Sequence, residues 1–207
     1  MKRRITATGL LSLVALIVVG VFSAGSALAT GGSNSFFSWT GPLPGLVLVV
    51  NDNKQIFTTE PGSVQIECSS FKAHGIASNG KAMTTKEVTL TGLYTGCEAA
   101  GLGATVTQAE FLLSANGSVA VLKPIVITIG ALGCSIKVDG GAANNNLRLI
   151  LYLNRPEDLL AHVEINNINS LASGGSCGEA GLEKPKGEYR GLFLVIVDGG
   201  TLQWREK

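Results

Sequence analysis

The sequence predicts an all-β fold, an antiparallel β-sandwich or flattened β-barrel with two disulfides, preceded by a signal peptide. Three observations carry this. Beyond Gly45, short β-branched or alternating runs follow one another, broken by glycine, asparagine and proline. The 207 residues include 27 glycines and only 15% charged side chains, a composition common in secreted β-proteins with many tight turns. Four cysteines, Cys68, Cys97, Cys134 and Cys177, follow an export signal, and an even count in an oxidising compartment reads as two bridges.

Residues 1–29 have the three parts of a secretory leader. Lys2-Arg3-Arg4 form the basic region, Gly9 to Phe22 form an uncharged apolar core, and Ala27-Leu28-Ala29 give the cleavage site before Thr30. A membrane anchor is the rival reading, but glycine, serine and alanine dilute the last third of the segment. The expected address is extracytoplasmic, either secreted or in the cell envelope, with no transmembrane segment in the mature form. The whole chain carries +1, and loss of the three basic leader residues leaves −2. No basic stripe remains, which disfavours a nucleic-acid partner.

Residues 30–44 mix glycine, serine and proline with Phe36, Phe37 and Trp39, so they read as a flexible N-terminal arm that the aromatics dock on the body. Residues 45–207 then form a single all-β domain. Strands are expected near 45–50, 55–59, 62–68, 70–77, 85–95, 104–113, 118–123, 125–130, 134–138, 147–153, 161–168, 188–197 and 201–205. Asn154-Arg155-Pro156 has helix-start chemistry, but the period-two run His162 to Asn166 limits it to at most a single helical turn. Asp139-Gly140-Gly141 and Asp198-Gly199-Gly200 each follow a β-branched run and read as hairpin turns. The second would fold Gly191–Val197 back onto Thr201–Arg205.

The cysteine spacings do not suit zinc, whose ligands come in close pairs. Three disulfide pairings are open, of which Cys68 with Cys97 and Cys134 with Cys177 is preferred.

No catalytic, cofactor-binding or metal-binding residues are assigned. Gly174-Gly175-Ser176-Cys177-Gly178 has the letters of a nucleophile elbow, but both histidines, His74 and His162, precede the serine and the surroundings are a glycine-rich loop. Gly75 to Ala82 follows a phosphate-loop pattern until Ala82 replaces the magnesium-binding hydroxyl, and a turn at Asn79-Gly80 explains it better. A carboxylate-dependent hydrolase would draw on Glu67, Glu110, Glu164 or Glu188, all in expected strands. Runs such as Gly45–Val50 and Gly191–Val197 lack clean alternation. They imply strands covered on both faces, edges open to self-association or a cell-surface partner, or the wall of an apolar cavity.

Phe57 to Ser70, with a T-x-x-G-x-V run leading to Cys68, Tyr94-Thr95-Gly96-Cys97, and Cys177 followed by Gly187-Glu188-Tyr189-Arg190-Gly191 carry a resemblance over roughly residues 55–193. They resemble a group of uncharacterised secreted β-rich proteins of high-G+C soil bacteria. Members of that group tend to carry a further cysteine pair where this chain has Gln108-Ala109-Glu110 and Val121-Leu122-Lys123. The resemblance implies that a third bridge is dispensable, keeps the preferred pairing and transfers no activity.

The expectation is therefore a non-catalytic structural or binding module without cofactor. The alternatives are a carrier of a small apolar ligand and, behind it, a hydrolase.

Overall fold

A computed structural model describes residues 32–41, 44–59, 64–77, 84–148, 150–175 and 184–207. The expected leader, the expected turn at Asn79-Gly80 and Ser176 to Gly178 lie outside the described residues.

Among the described residues the fold has sixteen antiparallel strands. In chain order they are β1 (Phe36–Thr40), β2 (Leu46–Asn51), β3 (Gln55–Thr59), β4 (Val64–Ile76), β5 (Thr84–Thr85), β6 (Glu87–Ala99), β7 (Leu102–Val106) and β8 (Ala109–Ser114). They continue with β9 (Ser118–Val121), β10 (Ile125–Ile129), β11 (Cys134–Val138), β12 (Leu147–Arg148), β13 (Ile150–Asn154), β14 (Leu159–Ser173), β15 (Lys184–Val197) and β16 (Thr201–Arg205). Two short 3-10 turns, Gly130–Leu132 and Gly141–Asn144, are the only helical pieces among the described residues.

Thirteen strands share one sheet, and its pairings return on themselves. At one end the circuit runs β4, β6, β7, β10, β11, β14, β15, β3 and back to β4. At the other it runs from β6 through β8 and β9 to β12, then from β13 through β14, β15 and β2 to β4. The long strands β4, β6, β14 and β15 serve both ends by changing neighbour part-way along. Alternation puts Val47, Val49, Ala73, Leu90, Ile127, Ile136, Val163 and Val195 inside this closed sheet.

Two strands change phase at the same level. In β4 the inward residues are Ile66 and Cys68, then Phe71 and Ala73; in β6 they are Val88 and Leu90, then Cys97 and Ala99. Gly96 stands at the change with φ 59°, a backbone that L side chains rarely adopt. It lets Tyr94 and Cys97, three residues apart, both turn toward the interior. Asn167, φ 61°, plays the same part in β14 between Ile165 and Ile168, where the register against β15 shifts.

The remaining strands form a small sheet, β16–β1–β5. It packs on the closed sheet through Phe37, Trp39, Leu202 and Trp204, all buried. Trp204 donates its indole N–H to the Ala115 carbonyl at 2.7 Å, and Tyr152 donates to the Ser114 carbonyl at 2.9 Å. Asn154 extends the ladder with its amide, donating to the Trp204 carbonyl and accepting from the Trp204 N–H.

Several expectations are corrected here. Residues 36–40 of the arm form a paired strand, because alternate side chains Phe37 and Trp39 bury while their backbone meets β16. The Asp198 turn forms, with Gly200 N–H donating to the Val197 carbonyl, but it delivers β16 to β1 and not back onto β15, whose two sides are already paired with β14 and with β2 and β3. Asp139-Gly140-Gly141 leads into a 3-10 turn, and β11 pairs with β10 and β14. The run 104–113 breaks at Thr107-Gln108 into two strands with different partners, whereas 62–68 and 70–77 join into one. Asn154 to Leu159, where at most one helical turn is expected, is a tight strand connection closed by Arg155 N–H to the Asp158 carbonyl.

Candidate functional site: an apolar cavity inside the closed sheet

The inward side chains do not fill the closed sheet. A cavity of about 130 Å³ remains, walled by Phe71, Phe111 and Phe193 from β4, β8 and β15, and by aliphatic residues such as Ile127, Ile150 and Val163 from β10, β13 and β14. The rings form one connected cluster: Phe71 lies 4.5 Å from Tyr94, 5.2 Å from Phe193 and 6.2 Å from Phe111 between centroids. Tyr189 extends it, stacked on Phe193 at 6.3 Å. Edge and stacked contacts at these separations hold the rings favourably against one another.

Three lining residues carry hydrogen-bonding groups with partners in the structure: Gln55, Tyr94 and Tyr189. They form a string. The Tyr94 hydroxyl donates to Tyr189 Oη at 3.3 Å, Tyr189 donates to Gln55 Oε1 at 2.6 Å, and Gln55 Nε2 donates to the Asn53 carbonyl at 2.9 Å. Gln55 is 1% exposed. Burial raises the pKa of the Tyr94 and Tyr189 hydroxyls, so both stay protonated at physiological pH. Each tyrosine keeps some accessible surface, and the cavity wall to which both contribute is part of it. The string spends its polar atoms on one another, so the wall that faces the space is almost wholly carbon.

Cys68 and Cys97 are directly opposed on β4 and β6 and form a disulfide beside this string, opposite Gln55 in the β3–β4 register. The other expected bridge involves Cys177, outside the described residues, and there is no free cysteine among the described ones.

The residues considered for other chemistry lie elsewhere. Glu67 pairs with Lys54 at 2.9 Å and Glu110 with Lys123, while Glu164 and Glu188 share Arg190 at 3.5 and 3.6 Å. None of these four carboxylates lines the cavity. Lys54 holds the Glu67 carboxyl below its ordinary value. His74 and His162 are exposed on β4 and β14, with β15 and β2 between them. Asn116-Gly117-Ser118 is the β8–β9 turn, in which Asn116 Oδ1 accepts from the Ser118 N–H and hydroxyl. Among the described residues there is no group of three or more histidine, cysteine or carboxylate side chains able to hold a metal.

Nothing in the sequence singles out Gln55, since a polar residue in an alternating strand reads as outward. Tyr94 and Tyr189 were in view only as letters of Y-x-G-C and G-x-Y-x-G. The chain matches no protein-family model, no curated protein and no solved structure. Among the described residues no helix is long and apolar enough to cross a membrane.

Proposed function

We propose that the protein is a secreted, non-catalytic binding module of the cell envelope or extracellular space that carries a small apolar ligand inside its closed sheet. The cavity is the observation that supports this reading. A circuit of eight strand positions is the size at which a barrel interior either fills with side chains or holds one small ligand. Here about 130 Å³ is left open. That is of the order of an engineered apolar cavity of about 150 Å³ that stays dry and takes up benzene or xenon. A void of this size costs stability in proportion to its volume, on the order of 24 cal/mol per Å³, so keeping it open opposes folding unless something occupies it. The leader and the Cys68–Cys97 bridge both fit an extracytoplasmic address.

This puts the carrier ahead of the purely structural module. Native mass spectrometry of protein purified from the secreting host tests it: a small neutral mass retained under gentle conditions and lost on activation supports the carrier, and protein that is always empty counts against it.

A second reading rests on the outer face. Leu46 and Leu48 of β2 and Ile76 of β4 are exposed, with Leu48 at 44%, and they adjoin the half-buried Leu194 and Ile196 of β15. A contiguous apolar face of this kind favours self-association or a cell-surface partner. Concentration-dependent oligomers that Leu48→Lys abolishes would support it.

A further inference from the structure

Resting on the carrier reading, we infer that the cavity selects ligands without any hydrogen-bonding group, hydrocarbons about the size of one six-membered ring, over their hydroxylated and carboxylated analogues. The polarity of the Gln55 string carries the inference. The Leu192 N–H donates to Asn53 Oδ1 at 2.9 Å, which fixes the Asn53 amide. Gln55 Nε2 faces three acceptors, the Asn53 carbonyl at 2.9 Å, Asn53 Oδ1 at 3.4 Å and the Leu192 carbonyl at 3.5 Å, which fixes the Gln55 amide in turn. Gln55 Oε1 therefore points at Tyr189 and must accept. Tyr189, having donated its only proton, can only accept from Tyr94, and Tyr94 spends its own proton there. No donor along the string is left to meet an acceptor on a ligand.

Charge gives no alternative anchor, because the lining contains no lysine, arginine, histidine, aspartate or glutamate. A carboxylate entering this space would lose its hydration with neither cation nor free N–H to replace it. A hydroxyl would lose a donor and an acceptor interaction with water and recover at most one weak bond at Tyr94 Oη. Desolvation of a hydroxyl without full compensation opposes binding. Discrimination by an apolar site against an added hydroxyl is accordingly on the order of 10–100-fold. The string has a second effect: it lets three polar side chains occupy an inner wall without presenting polarity to the space. Such a site suits unfunctionalised hydrocarbons, and the usual acid or alcohol head group of a lipid finds no partner in it.

The test measures the affinities of the disulfide-intact protein for benzene, phenol and benzoate by ligand-observed NMR, together with the variant Tyr189→Phe. The wild type should bind benzene 10–100-fold more tightly than phenol and show no benzoate binding. Tyr189→Phe removes the proton given to Gln55 Oε1 and leaves a buried acceptor at the wall, so the benzene-to-phenol ratio should fall at least tenfold, with phenol gaining in absolute affinity. A melting curve confirms that the variant is folded. Should it not fold, Gln55→Met, which takes away the acceptor of the Tyr189 proton and so leaves a free donor at the wall, must likewise lower the benzene-to-phenol ratio. Phenol bound as tightly as benzene, or benzoate bound at all, overturns the selectivity while leaving the cavity a ligand site. Failure of all three probes to bind overturns the carrier reading itself.

Discussion

Gly191 lies against Gln55 so closely that a Cβ on it would come within 1.9 Å of Oε1, the atom that accepts the Tyr189 proton. Gly191→Ala must push the Gln55 amide away and break the string at its middle. Leaving a buried acceptor and a buried hydroxyl without partners costs about 1–3 kcal/mol each. Urea unfolding should show a lower midpoint with unchanged slope. Gly103→Ala, on β7 with nothing within 4 Å of the added carbon, is the control and should stay within about 0.5 kcal/mol of wild type.

Gly96→Ala should also destabilise, for a different reason. Its φ of 59° strains any L side chain, and the new Cβ would lie 2.1 Å from Ser69 Oγ. The loss should exceed about 1 kcal/mol, and removing Ser69 Oγ as well, with Ser69→Ala, should recover only the steric part. Full recovery in the double variant would mean that backbone strain plays no part.

Tyr94, Tyr152 and Tyr189 are the only tyrosines of the chain, and burial raises the pKa of all three. A folded-state value above the unfolded one of about 10 means that the folded state holds protons the unfolded chain releases. The stability from these groups is complete below about pH 10 and is lost as pH rises toward the folded values, by up to about 1.4 kcal/mol per pH unit for each group. Tyrosinate absorbance should therefore appear in one cooperative step that coincides with loss of the β-sheet signal. An early, non-cooperative phase near pH 10 in folded protein would show that one ring reaches bulk water.

Cys68 and Cys97 close a loop with a sequence separation of 29. On the chain-entropy argument their bridge contributes roughly 3.5 kcal/mol by restricting the unfolded chain. The double variant Cys68→Ala, Cys97→Ala should lose an amount of that order in chemical unfolding. Peptide mapping of the non-reduced protein should recover the Cys68–Cys97 link and test whether Cys134 is joined to Cys177.

Trp39 and Trp204, the only tryptophans, both belong to the small sheet and both are buried. Tryptophan emission thus reports docking of that sheet alone, while far-ultraviolet dichroism is dominated by the larger one. Asn154→Leu strips two hydrogen bonds from the Trp204 backbone and should red-shift the emission in native buffer with little change in dichroism. Unchanged emission would mean that apolar packing alone holds the small sheet in place.

The strands were legible wherever one face buries. Ile125 to Ile129 and Cys134 to Val138 alternate in sequence and in burial, and both strands appear where the pattern puts them. Partners were less legible, because a turn signal such as Asp198-Gly199-Gly200 specifies a change of direction and says nothing about which edge is free to receive β16. The strand at Phe36–Thr40 was hidden by its glycine- and serine-rich surroundings, although its aromatic alternation was in view. The cavity was legible only as one of three meanings of an apolar run, since periodicity reports which side chains turn inward and not whether they fill the space they enclose. Gln55 could not be found by pattern at all: its burial depends on Tyr189, 134 positions away, which supplies its hydrogen bond.

Occupancy of the cavity is read from the melting temperature of the disulfide-intact protein at rising benzene concentration, for the wild type and for Ala161→Leu. Ala161 is buried on the cavity wall, and leucine there would occupy the space. A ligand that binds only the folded state adds about 2.7 kcal/mol at a hundred times its dissociation constant. The melting temperature of the wild type should rise with benzene concentration and that of Ala161→Leu should not. A wild-type melting temperature that benzene leaves unmoved, or an equal rise in both proteins, would contradict the carrier reading.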